Sequence, residues 1–562
     1  MSTRICLVLL SAGTVFSQAP PPPLNTLPIP QPSGISQYVK DPQALIVLGK
    51  ALFWDMQAGS DGRVACASCH FHAGADHRRQ NQLSNKFGDF AVNHVFERDD
   101  FPLHLLQNPS NRNSTVLRDT SAIAGSAGVF RRAYTGSGGI DDLGYDLTDD
   151  ATFRKDDLNT RRVTSRNSPT VINAVFNPRN FWDGRASSVF TGATPFGDSD
   201  TRENLLVTID GVTVPQLIRL TNASLASQAV GPAMNNVEMS YDGRTWSTLG
   251  KRLLPLRPLA LQRIAVDDSV LGPYVSESGR GLKEDITYLS LVAAAFKPEL
   301  YNADTTAQAE TNFSIFWGLA ILAYESTLVS GDSAFDRFSS GTPSALTPEQ
   351  QNGIRVFQRV ECQNCHGGPT FTAANRGRNN GFFRTGVRPI ADDIGFGGID
   401  DFGLPFTNNR NVAGLFKTPT IRNVEFTGPY FHNGGQATLE EVVEFYNRGG
   451  DFTGGVDGDV RPRNLNDTDK AALVAFMKSL SDDRVRFERA PFDHPELCVS
   501  AGQDTSNADP SFPLSAMDKM VLIPMVGASG NSVPLQTFEE LLLNIGSDGT
   551  RAHALNEPCP SQ

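Results

Sequence analysis

An apolar run from Ile5 to Phe16 follows Arg4, with Val15-Phe16-Ser17 as an acceptable cleavage site before Gln18. It predicts an export signal over 1–17, too short to span a bilayer. Residues 19–32 (APPPPLNTLPIPQP) predict an extended proline-rich tether, so the linker runs 18–34 and order begins near residue 35. Asp41-Pro42 then supplies an N-cap and a first-turn proline, and Leu45, Leu48 and Leu52 share one helical face. The device recurs at Thr347-Pro348-Glu349-Gln350, a capping box followed by Ile354, Val356 and Phe357. From Thr468, Leu473, Phe476, Met477 and Leu480 repeat at three and four, which predicts an amphipathic helix. Phe316 to Leu328 is largely apolar and predicts a helix connecting the two halves of the chain. Residues 94–160 and 191–225 are polar and rich in glycine, serine and aspartate, as insertions and long loops are. Beyond residue 490, Met520 to Val526 predicts a strand.

The chain has 562 residues, enough for two to four domains, and its 39% hydrophobic residues and 50 glycines describe a loop-rich globular protein. A net charge of −12 speaks against nucleic acid and gives no membrane-surface signal. No later stretch reaches spanning length, so a soluble mature protein is expected, with no membrane partner. An acidic surface would suit a basic redox partner, although a merely solvated acidic face is commoner.

Cysteine placement changes the picture most. Two of the pentapeptides are CASCH (Cys66 to His70) and CQNCH (Cys362 to His366), and C-x-x-C-H reads as a c-type haem attachment site. Two thiols add to the vinyl groups of one haem, and the histidine supplies an axial nitrogen. A zinc knuckle would need two more ligands nearby and a thioredoxin-type motif a βαβ setting; neither is present. Two covalent haem c groups are therefore expected, on Cys66, Cys69 and His70 and on Cys362, Cys365 and His366. The fold class expected is mainly α: two cytochrome c-type haem domains (35–310 and 311–490) with long loop insertions and a small C-terminal extension (491–562). Of the seven cysteines, Cys6 leaves with the signal, and Cys498 and Cys559 remain as a plausible disulfide in an oxidising compartment. Covalent haem fits the periplasm.

Three further blocks carry a resemblance. RNSPTVINAVFNPRNFWDGRA (Arg166 to Ala186), QAVGPAMNNVEM (Gln228 to Met239) and FKTPTIRNVEFTGPYFHNGGQATLEEVVEFYNRGG (Phe416 to Gly450) resemble signature blocks of the bacterial di-haem cytochrome c peroxidase superfamily, which includes the MauG-type enzymes. The resemblance implies hydrogen peroxide reduction at an open first haem, with Glu238 as proton carrier and Gln228 and Pro232 at the family spacing before it. It implies that Trp182 carries electrons between the haems. It also implies an inter-haem calcium held by Asn167 and by the Thr427 and Pro429 carbonyls, since calcium takes hard oxygen ligands. A small redox protein or a protein substrate would supply electrons; oligomeric state is left open.

Two departures from the electron-storing peroxidases stand out. Their second haem takes a methionine 14 residues past the histidine of PYFH; counted from His432, that residue is Tyr446. The MauG-type enzymes carry a tyrosine ligand there, and a phenolate stabilises ferric and higher states. Axial identity can move potentials over about 0.8 V. The histidine that closes the first haem in reductively activated peroxidases corresponds to Lys86 here. His72 lies too close to His70 to reach the opposite face, while His77, His94 or His104 would have to swing over. An iron open without prior reduction is expected. Two other functions compete. A dioxygenase resembling the rubber oxygenases is left open by the large insertions and opposed by Glu238. A di-haem electron carrier would require His77 or His94 on the first iron.

Overall fold

The computed structural model describes residues 19–544 and Cys559, apart from 80–81, 84–89, 193, 201–204, 303–305, 377–380 and 398–413. The export run 1–17 and Lys86 lie outside the described residues.

The helices begin where their caps predict. Asp41 accepts hydrogen bonds from the Gln43 and Ala44 N–H groups at the start of the Pro42–Trp54 helix. Thr347 and Gln350 close a capping box on Pro348–Arg359, and Asn466 caps Asp467–Lys478. Each of the first two helices crosses a partner at a glycine. A Cβ on Gly49 would sit 1.9 Å from the Ala320 carbonyl oxygen, and one on Gly353 would sit 2.0 Å from that of Ala472. Only glycine allows backbones to approach so closely. The partner of Pro42–Trp54 is the Phe313–Glu325 helix, expected from its place in the chain to be a connection. Instead it is buried within the first hydrophobic cluster, as Asp467–Lys478 is in the second. A helix apolar on all sides is a core helix, and that property outweighs its position between the two motifs.

The two cores share a second feature. Residues 166–186 and 416–436 repeat at a constant spacing of 250 residues, with Pro169/Pro419, Thr170/Thr420, Asn173/Asn423, Phe181/Phe431 and Gly184/Gly434 as identical pairs. Thr170 Oγ1 donates to the Ala73 carbonyl and Thr420 Oγ1 to that of Thr370, both at 2.7 Å. Asn173 and Asn423 take positive φ (63° and 57°) and both donate from Nδ2 to Ser330 Oγ at 2.7 Å. Phe181 and Phe431 also take positive φ, 62° and 67°. The repeat places Trp182 and His432 at equivalent positions facing each other. The Lys417 N–H donates to the Trp182 carbonyl at 2.6 Å and the Asn167 N–H to that of His432 at 2.7 Å.

Described secondary structure is 32% helix and 17% strand, so "mainly α" fits the two cores but not the rest. The stretches expected to be loops contain hairpins: His104–Leu106 with Val116–Asp119, Arg132–Ser137 with Asp142–Asp146, and Leu205–Ile209 with Val212–Gln216. Their strands are only three to six residues long, too short for an alternating pattern to mark them clearly. The tail is a long hairpin, Leu497–Asp509 with Phe512–Ile523, rather than one strand. It is joined to the insertion: Ser515 pairs in parallel with Asn159, and Arg154–Lys155 completes a four-stranded sheet. Buried ion pairs hold the join, with Asp518 accepting from Arg161 Nη2 at 2.7 Å and Arg63 Nη1 at 3.0 Å. Cys498 and Cys559 form a disulfide. The proline-rich tether is packed rather than free: Leu24 is fully buried, and Asp336 Oδ1 accepts its backbone N–H at 3.0 Å. The Pro21 carbonyl also accepts from Ser339 Oγ, and the Ser33 N–H donates to the Thr221 carbonyl at 3.0 Å.

Candidate active site

In the first core a cavity of about 700 Å³ brings Cys66, Cys69 and His70 together with Gln228, Pro232, Glu238 and Trp182. His70 Nδ1 donates to the Gly74 carbonyl at 2.9 Å, a tautomer in which Nε2 is the nitrogen that could hold a metal. Gly74 has φ +74°, and a Cβ there would meet Thr170 Oγ1 at 2.8 Å, so the loop that presents this carbonyl requires glycine. Burial lowers the His70 pKa and favours the neutral ring that ligation needs.

Glu238 is aimed by a turn. Asn235 Oδ1 accepts from the Val237 N–H at 2.8 Å, and the Asn235 carbonyl accepts from that of Glu238 at 3.2 Å. Burial pushes the Glu238 carboxyl above its usual range, opposed by the Arg185 guanidinium. A carboxyl so raised keeps its proton to higher pH than an exposed one, the direction a proton carrier needs. Gln228 is buried with its Oε1 unpartnered by protein, a vacant acceptor facing the same space.

Sequence reasoning missed Glu325, the last residue of the Phe313–Glu325 helix. It lines this cavity, is 3% exposed, and its Oε2 has no hydrogen-bond partner. Burial alone pushes its pKa up to about 8. The available signal was a single carboxylate ending an otherwise apolar helix. The candidate closing histidines stand elsewhere. His72 and His77 stack on each other at 3.6 Å, His94 Nε2 meets Asp100 at 2.8 Å, and His104 Nδ1 meets Asp119 at 2.9 Å. Among the described residues, His70 is the only histidine lining the first cavity.

The second cavity, of about 210 Å³, brings together Cys362, Cys365, His366 and Tyr446. Tyr446 projects from the Leu439–Arg448 helix on the same face as Val442 and Val443, one turn earlier. Burial raises its phenol pKa. Met477, from the Asp467–Lys478 helix, lines the same cavity. His366 Nδ1 approaches the Phe371 carbonyl at 3.4 Å, and burial pushes the imidazole down to about 4. Lys417, 6% exposed and pushed down to about 8, brings a buried cationic group to this lining. In both cavities a thiol pair, a neutral imidazole and apolar walls meet, so the residues present fit a covalently attached haem.

Trp182 lines both cavities. Its Nε1 donates to the Asn167 carbonyl at 2.7 Å, and its ring meets that of His432 edge-on at 6.2 Å. His432 stacks on Phe416 at 3.7 Å and pairs through Nε2 with Asp393 Oδ2 at 2.8 Å. Asn167, Thr427 and Pro429 line the second cavity together. Asn167 donates from Nδ2 to the Ala124 carbonyl at 3.0 Å, leaving its amide oxygen to accept, as calcium ligation requires.

Paired C-x-x-C-H cavities bridged by a tryptophan define a di-haem cytochrome architecture. The family model for di-haem cytochrome c peroxidase matches residues 43–344, and the chain belongs to that family. It is 31% identical over 237 residues to cytochrome-c peroxidase IdrP1 of Denitromonas iodatirespirans, covering 37% of this chain and 60% of that protein. It is 28% identical over 327 residues to cytochrome c551 peroxidase of Pseudomonas aeruginosa, covering 58% and 66%. To the methylamine utilization protein MauG of Methylorubrum extorquens it is 30% identical over 162 residues, covering 29% and 42%. The chain thus spans about two fifths to two thirds of the length of these relatives. A solved MauG-like protein associated with microbial copper homeostasis superposes with a TM-score of 0.45 at 19% identity, covering 83% of this chain and 96% of that one.

Proposed function

We propose that the protein is a periplasmic di-haem c-type oxidoreductase of MauG type that reduces hydrogen peroxide at the cavity of His70 and Glu238. The observation that carries this is the meeting of a raised-pKa carboxyl, an unpartnered glutamine and a C-x-x-C-H histidine around one space with no second histidine among the described lining residues. Haem iron, when bound, supplies the electrons and the Lewis acidity for O–O cleavage. Cys66 and Cys69 anchor the group, and the Gly74 carbonyl holds His70 in the tautomer that ligates. Gln228 orients peroxide through its amide, and Pro232 fills space beside it without competing for hydrogen bonds. Glu238 takes the peroxide proton at one oxygen and returns it to the other, which lets that oxygen leave as water. Trp182 carries electrons between the sites. Its Nε1 proton is committed to the Asn167 carbonyl, so the indole transfers an electron without losing that proton. Tyr446 would hold the group at the second site and favour its oxidised states. Asn167, Thr427 and Pro429 would hold calcium and fix the bridge. Electrons come from a small redox protein or from a protein substrate.

Azide or cyanide added to the ferric protein tests this. The account expects an immediate spectral shift from one haem only, followed by a peroxide reaction that needs no prior reduction. A protein inert to both ligands, or active only after half-reduction, would overturn it.

A further inference from the structure

On the histidine side of the first site lies a small cavity of about 30 Å³ lined by His70, Phe53, Trp54, Tyr324, Glu488 and His494. Trp54 and Tyr324 are 4% and 2% exposed. The Phe53 ring stands 6.4 Å from the His70 ring and 5.3 Å from that of Tyr324. Trp54 Nε1 donates to Tyr324 Oη at 2.9 Å, and the indole lies flat on His494 at 4.5 Å with 8° between the planes. A continuous run of π systems therefore leads from the ligating histidine to Trp54.

The surrounding charge is unbalanced. Lys50 Nζ bridges Asp268 at 2.8 Å and Asp493 at 3.2 Å. His494 faces acceptors with both nitrogens, the Pro495 carbonyl at 2.8 Å and Glu488 Oε1 at 3.1 Å, so it carries a proton. Among the described contacts two cations thus meet three carboxylates, all buried, in a poorly screened interior. Such surroundings favour a positive charge on the indole.

We propose that Trp54 is a second one-electron oxidation site, coupled to the first haem site through its histidine side and positioned by Tyr324. The proposal rests on the peroxidase function above and deepens it. One electron passes from the indole to the haem iron that hydrogen peroxide has oxidised. No bond breaks: the iron site gains the electron, and the indole becomes a radical cation. Its Nε1 proton stays in the hydrogen bond to Tyr324 Oη, which is a phenol and no base. Tyr324 is a positioning residue. When no external donor is present, Trp54 takes the oxidising equivalent that Trp182 cannot pass on.

The test mixes resting holoprotein with one equivalent of hydrogen peroxide without reductant, records the haem spectrum, and freezes samples for EPR. The expected result is a haem change in every sample and a narrow organic radical that falls at least tenfold in Trp54→Phe. Tyr324→Phe keeps the ring packing and removes the Nε1 acceptor; it should change the radical's hyperfine pattern or its yield by threefold or more. A haem change with an undiminished radical in Trp54→Phe overturns this proposal alone. A radical unchanged in Tyr324→Phe does so too, even if Trp54→Phe fails to fold. Absence of any haem change in the native protein overturns the peroxidase function and this proposal together.

Discussion

Glu238→Gln is the most informative single substitution. Glutamine keeps the shape of the side chain and its place in the Asn235 turn but cannot shuttle a proton. General acid–base catalysis contributes about 100- to 10,000-fold. Glu325 lines the same cavity and offers a partial substitute, so the loss should sit near the lower end, about 100-fold, or about 2.7 kcal/mol of barrier. Stopped-flow spectroscopy of the peroxide-driven Soret change reads the rate directly. Its pH profile adds a second check. The working form is the carboxylate, so the native rate should rise with pH through the folded Glu238 pKa and then level off. Because burial raises that pKa, the rise should fall above the ordinary carboxyl value of 4.5. The profile of Glu238→Gln should lack it. A variant rate within threefold of native, with haem spectra intact, would refute the reasoning.

Glu325→Gln should remove a pH dependence of stability. The folded pKa, about 8, exceeds the unfolded value of 4.5, so native stability is greatest below 4.5 and is lost as pH rises towards 8, by roughly 1.4 kcal/mol per pH unit. Denaturant titrations of both holoproteins at several pH values check the difference in slope; parallel slopes would contradict it. Gly353→Ala should destabilise the second core by about 3 kcal/mol or more, since its Cβ would meet the Ala472 carbonyl at 2.0 Å; thermal unfolding measures this, and an unchanged Tm would disprove the close crossing. Trp182→Phe should leave ligand binding at the first site intact and slow the spectral response of the second site to peroxide by at least tenfold, read at separate wavelengths.

Much of this was legible in the chain. The haem-binding pentapeptides, the capped helices before each one and the Gln228-to-Glu238 segment are local patterns, and local patterns survive into the structure. Compartment and count made a Cys498–Cys559 bond plausible without deciding it, and the structure contains it. What was not legible depends on contacts between distant segments. The role of the Phe313–Glu325 helix follows from the Gly49 crossing, 271 residues away from Ala320, which no periodicity reveals. The joining of tail to insertion rests on one strand pairing, Ser515 with Asn159, and on buried arginine–aspartate pairs. The 250-residue repeat was present in S/T-P-T-x-x-N at 168 and 418, but only the paired Asn173 and Asn423 contacts to Ser330 give it meaning.

The central claim is that one iron site stays open under a carboxylate while the other is closed by Tyr446. Low-temperature EPR of the as-isolated protein, with and without cyanide, tests it most directly. The account predicts a high-spin ferric signal that cyanide converts, and a low-spin signal that cyanide leaves untouched and that Tyr446→Phe abolishes. Two low-spin signals indifferent to cyanide, or a second signal that survives Tyr446→Phe and vanishes in Met477→Leu, would contradict it.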